Sequence, residues 1–178
     1  HPDTLTAMNN LANSYADAGR RDEALRLREQ VLALFRKVNS SEHPETLMAL
    51  ANLANSYADA GRRDEALRLR EQVLALSRKV NGPEHPATLM AMNNLAVSYS
   101  AAGRRDEALK LREELLPLSR KVLGSKHPVT LDVMSGLADS CFVAGRRDEA
   151  TKLLEELLPL GRNVNGPEHA VTLHAMSC

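Results

Sequence analysis

Apolar residues along the chain recur at three- and four-residue steps, in blocks closed by glycine or by short polar loops, and this spacing predicts paired amphipathic helices. In the first 19 residues Leu5, Met8, Leu11, Ala12 and Tyr15 share one face, so a first helix starts near Pro2 and stops at Gly19. Proline suits a first turn because its missing N–H costs nothing there, Asp3 adds charge favourable to the dipole, and glycine suits a left-handed cap. Beyond the turn, Ala24, Leu27, Val31, Leu34 and Val38 predict the buried stripe of a second helix. Asp22 and Glu23 open it and Arg36 and Lys37 close it, as the helix dipole favours. The segment NSSEHP is loop chemistry, and no strand alternation occurs.

The whole pattern repeats. His1, His43, His85, His127 and His169 keep a 42-residue step, as do Gly19, Gly61, Gly103 and Gly145. A period of this size marks a solenoid, in which each unit buries its apolar face against its neighbours. The expected organisation is a single all-α solenoid domain over 1–178, with repeats 1–42, 43–84, 85–126 and 127–168 and a truncated fifth, 169–178. The first two copies differ at only seven positions, while Gly136, Cys141 and Thr151 in the fourth read as natural drift. Pro117 and Pro159 replace Ala33 and Ala75 inside the second helix; each removes a hydrogen bond to Glu113 or Glu155, and a bend is expected there.

Composition narrows the function. Lys plus Arg equals Asp plus Glu at 23 each, aromatics are 3% and Trp is absent. Such a chain has neither the charge nor the stacking rings expected of a nucleic-acid binder, and no apolar run is long enough to cross a membrane. Two cysteines make no disulfide framework; Cys141, in the place of Tyr15, Tyr57 and Tyr99, is expected in the core, and a cytoplasmic location follows. The chain opens on a repeat boundary without Met and stops inside a fifth copy, so it reads as a fragment. Leu173 and Met176 on that truncated copy would then favour end-to-end self-association.

The periodic histidines invite a metal reading, yet equivalent residues of stacked repeats lie roughly 8 to 10 Å apart, whereas zinc ligands sit about 2 Å from one ion. They are expected to flank the helix starts instead. No phosphate loop, nucleophile context or Cys/His ligand spacing appears, and the charged AGRRDEA segment repeats identically, as structural turns do. No enzyme activity, catalytic residue, metal or cofactor is expected.

The series Met8, Leu11, Ala12, Tyr15, Gly19 and Ala24 resembles the tetratricopeptide repeat. The 42-residue length, the HP-x-TL opening and the NNLA segment resemble more narrowly the kinesin light chain type, over the entire chain. That resemblance implies a right-handed α-solenoid of antiparallel helix pairs, acting as a protein-interaction scaffold with the first helix of each pair on its concave side. The chain departs from the family where Arg21, Arg63, Arg105 and Arg147, and seven residues on Arg28, Arg70 and Arg112, replace aromatics. These arginines are expected on a solvated convex face, with their stems packed.

If the first helices line a groove, the stripe opposite their buried face is the candidate site. It comprises Asn9, Asn10, Asn13 and Asp17; Met48, Asn52, Asn55 and Asp59; Met90, Asn93 and Asn94; and Asp132 and Asp139. Asparagine amides both donate and accept, so a ladder of them can pair with the backbone of an extended peptide, and methionine adapts to varied side chains. The first-helix segments carry no Lys or Arg, so the expected ligand is an extended protein segment, neutral to basic. Self-association or regulation of a neighbouring domain within a larger signalling protein is the alternative.

Overall fold

Proline sets the start of every first helix. In the computed structural model, which describes residues 2–165, α1 (Pro2–Asp17), α3 (Pro44–Asp59), α5 (Pro86–Ala101) and α7 (Pro128–Val143) each begin on one and run 16 residues. The second helices are α2 (Arg21–Val38), α4 (Arg63–Asn81), α6 (Arg105–Val122) and α8 (Arg147–Asn165). His1, His169, Cys178, the fifth copy with Leu173 and Met176, and the side chain of Asp3 lie outside the described residues.

Each first helix ends as its glycine requires. Gly61 sits at φ 75°, and the N–H of Arg62 reaches back to the carbonyl of Tyr57 at 2.8 Å, closing the last turn in a left-handed cap. Gly19, Gly103 and Gly145 adopt the same φ to within a few degrees. The chain divides into two compact units, His1–Gly82 and Pro83–Cys178. In the first, α1 packs on α2, α2 on α3 and α3 on α4; in the second, α5 packs on α6, α6 on α7 and α7 on α8.

The core is aliphatic. Leu50 in the first unit and Met92, Leu115, Leu131 and Met134 in the second are fully buried, each at the position that the first-helix or second-helix period assigns to it. Leu11 is the exception on the first-helix face. It is 45% exposed, whereas its equivalents Leu53 and Leu137 are buried. Those two lie on helices that pack on a preceding second helix, α2 or α6, while no second helix precedes α1 among the described residues.

The second-helix stripe differs from the expectation. Ala24 and Val31 are buried, but Leu34 and Val38 are exposed, and Leu25, Arg28, Leu32 and Phe35 are buried instead. The reason is geometric: α2 is sandwiched between α1 and α3, so its buried surface is wider than one stripe and turned toward both neighbours. Pro117 and Pro159 are exposed, in line with their place away from the core, and α6 and α8 run through them unbroken.

Candidate ligand-binding face

Among the described residues, the histidine before α3, α5 and α7 caps each helix. Nδ1 of His43, His85 and His127 accepts the backbone N–H of Glu45, Ala87 and Val129 at 3.3, 3.1 and 3.2 Å. These are the second helical residues, the first with an N–H to offer after proline. The periodic histidines therefore order the helix starts, as their position in the repeat suggests.

From there the first helices present the stripe of asparagines. Asn10, Asn13 and Asp17 on α1 and Met48, Asn55 and Asp59 on α3 are exposed, and Asn52 is half-buried. In the second unit Met90, Asp132 and Asp139 are exposed and Asn93 and Asn94 half-buried. Asn9 departs from the expectation: it is only 9% exposed, with its Oδ1 unpaired. Its neighbour Asn10, one helical step of about 100° further round, keeps the exposed position.

The arginines of the second helices correct the charge map. Arg28 and Arg112 are 8% exposed and Arg70 is half-buried, so they do not form a solvated face. Arg28 crosses from α2 to both neighbouring first helices: Nη2 donates to Asn13 Oδ1 at 2.7 Å, and Nη1 to Ser56 Oγ and to the carbonyl of Asn52. Arg70 donates to Asn55 Oδ1 at 3.1 Å, and Arg112 to Ser140 Oγ at 2.6 Å. Burial lowers the pKa of all three, and the carboxylates Asp17 and Asp59 act against that shift for Arg28, Asp59 for Arg70 and Asp139 for Arg112. Arginine stays charged through such shifts.

So cations do reach the first-helix stripe, supplied through the gap between helices. The first arginines of the i, i+7 pairs, Arg21, Arg63, Arg105 and Arg147, remain exposed as expected. The two members of each pair separate because the second, unlike the first, stands where α2 or α6 is covered by the following helix. Hydropathy alone favours Leu27 over Arg28 for the buried position. The available signal was the serine kept at Ser14, Ser56, Ser98 and Ser140, a small hydroxyl that at Ser56 and Ser140 accepts the incoming guanidinium.

On the other side of each first helix a second repeated cluster occurs. The guanidinium carbons of Arg20, Arg62 and Arg104 lie 4.2, 4.3 and 4.3 Å from the ring centres of Tyr15, Tyr57 and Tyr99. Each of these arginines also pairs with a glutamate three residues on, Glu23, Glu65 or Glu107. The cation over the ring and the carboxylate beside it close the turn between the paired helices.

The pattern that defines these turns and faces matches the tetratricopeptide repeat over residues 3–69, 48–121 and 98–160. The chain belongs to the tetratricopeptide repeat family. Among solved structures, the kinesin light chain TPR-like repeats of Podosopora anserina are 35% identical, with a TM-score of 0.84 over 98% of this chain and 83% of that one. A substituted form of the same repeats gives 35% identity and a TM-score of 0.86, over 98% and 82%. BtubC (BKLC) from P. vanneervenii, 19% identical, shares the fold at 0.80, over 100% of this chain and 79% of that one. No curated protein matches the chain.

These are tetratricopeptide repeats of the kinesin-light-chain-like type, an all-α solenoid class built of helix pairs. Tetratricopeptide repeats generally mediate protein–protein interactions. Among the described residues no helix is long and apolar enough to cross a membrane.

Proposed function

We propose that the first-helix face of each unit holds an extended segment of another polypeptide, neutral to mildly basic in charge. The observation that carries this reading is the seating of the asparagine amides. Arg28 and Arg70 occupy Oδ1 of Asn13 and Asn55, which leaves each Nδ2 to donate to a ligand carbonyl. The arginine thus fixes the orientation of the amide and the asparagine makes the contact. Asn10 and Asn52 extend the row in the first unit, with Met48 as an adaptable apolar contact; Asn93, Asn94 and Met90 supply the same chemistry in the second.

Ligand charge follows from what remains exposed. The guanidinium groups of Arg28 and Arg112 are buried and that of Arg70 half-buried, each committed to the chain's own acceptors, whereas Asp17, Asp59, Asp132 and Asp139 stand on the surface. A carboxylate-rich ligand would meet those acids and gain little from arginines already bonded; a neutral or basic one meets no such penalty.

A peptide library scored by fluorescence anisotropy tests the reading. Extended peptides of zero or positive net charge are expected to bind. Replacing Asn52 and Asn55 together by Ala should weaken binding roughly thirtyfold, as loss of two hydrogen bonds of about 1 kcal/mol each would. Selection of acidic peptides only, or unchanged affinity in a double variant of wild-type helicity, would overturn it.

A further inference from the structure

In the fourth repeat the tyrosine cluster lacks its ring. Tyr57 shows the complete arrangement: its Oη donates to Glu29 Oε1 at 2.8 Å, Arg62 covers its ring, and Arg62 pairs with Glu65 at 2.9 Å while standing 3.8 Å from Glu29. Two repeats further on, in the second unit, Arg146, Glu149 and Glu113 occupy the places of Arg62, Glu65 and Glu29, but Cys141 replaces the tyrosine. Arg146 now reaches Glu113 at 2.5 Å as well as Glu149. The turn itself is unaltered, since Gly145 has φ 78° and Arg146 N bonds the carbonyl of Cys141 at 2.8 Å.

Beside the position of the missing ring there is space. A cavity of about 250 Å³ opens between α6, α7 and α8, with Leu137, Cys141 and Leu153 as its apolar wall and Glu113, Arg146 and Glu149 at its polar edge. The pocket is open to solvent on one side, and its volume exceeds the roughly 150 Å³ of an enclosed apolar cavity able to take up benzene. The movement of Arg146 onto Glu113 has satisfied the charges without filling the void.

We infer that this cavity is a binding site for a phenol ring, which would restore in trans the contacts that Tyr57 makes in cis. The ring lies under the Arg146 guanidinium and against Leu137 and Leu153, and its hydroxyl donates to Glu113. Other ligand classes fit less well. An anion would meet Lys152 at the rim but also faces Glu113 and Glu149, and its attraction to Arg146 must displace both. An aliphatic group fills the volume but uses neither the guanidinium face nor the Glu113 acceptor. The site is separate from the asparagine stripe: Cys141 is two residues beyond Asp139, about 200° round the helix.

The test uses p-cresol, the free side chain of tyrosine, titrated into the full chain and followed by amide NMR. Saturable shifts at Leu137, Cys141 and Leu153 are expected, in the millimolar range that so small a ligand allows, with toluene binding severalfold more weakly. Cys141→Tyr, which restores the residue of the other three repeats, should abolish binding and raise the melting temperature. Glu113→Ala keeps the cavity and should reduce p-cresol affinity to that of toluene. Absence of saturable binding, shifts centred elsewhere, or undiminished binding in Cys141→Tyr would each overturn the proposal. N-acetyl-tyrosine amide distinguishes the sources: tighter binding than p-cresol assigns the site to a partner's tyrosine, and exclusion of it assigns the site to a small phenol.

Discussion

Histidine makes an unusual helix cap, because rotation of the ring can turn its accepting nitrogen away. Here Nδ1 meets the first available backbone N–H of the helix in all three described copies. His85→Ala should cost about 1 kcal/mol, while His85→Asn, whose side chain can make the same bond, should cost much less; chemical denaturation measures both. Equal losses in the two variants would mean that the ring acts by packing rather than by capping.

The buried arginines make a second residue-scale case. Arg28 binds Asn13, Ser56 and the Asn52 carbonyl from one planar group, a geometry that a lysine ammonium cannot copy. Arg28→Lys is therefore expected to destabilise by about 1–3 kcal/mol. Arg26→Lys, two residues away and exposed, should change stability by less than about 0.5 kcal/mol. The role of Arg28 was only half legible in the sequence: the period shows that the residue recurs, but not that α3 covers it.

At the scale of the element, the helices were legible where the local chain decides them. Pro at the first turn and Gly in the left-handed cap place both ends of α3, α5 and α7, since neither residue needs a distant partner to act. The buried face of α2 was not, because burial there depends on two packed neighbours. Pro117 tests the energetics of an element directly. Proline in a helix interior costs about 3 kcal/mol relative to alanine, and its stiffening of the unfolded chain returns up to about 1 kcal/mol. Pro117→Ala, which reproduces the exposed Ala33 and Ala75 of the first two repeats, should therefore stabilise by about 2 kcal/mol in a denaturant titration. A loss of stability would show that α6 is built around its proline.

At the scale of the whole molecule, the repeated turns act in concert toward acid. Hydrogen bonds from Arg20, Arg62, Arg104 and Arg146 hold Glu23, Glu65, Glu107 and Glu149 below their ordinary value of 4.5. A carboxylate whose pKa is depressed by folding stabilises the fold above its unfolded value, and that stabilisation is lost as pH falls through the lower folded value. The melting temperature should thus hold down to about pH 5 and decline below about 4.5. Changing all four glutamates to Gln should flatten that decline, and an unchanged slope would place the acid sensitivity elsewhere.

The sequence by itself determined what is local and periodic: the all-α class, the 42-residue pairing of helices, their starts at proline, their ends at glycine, and the exposure of most of the asparagine stripe. These follow from backbone geometry and from apolar spacing within one repeat. Only the tertiary structure decided what depends on a neighbour. Leu34 and Val38 lie open while Arg28 is buried, cations reach the first-helix face through the gap between helices, and a pocket opens beside Cys141, where the other repeats have tyrosine. Each of these turns on which second surface stands opposite a given side chain, and the spacing of residues along one chain segment carries no record of it.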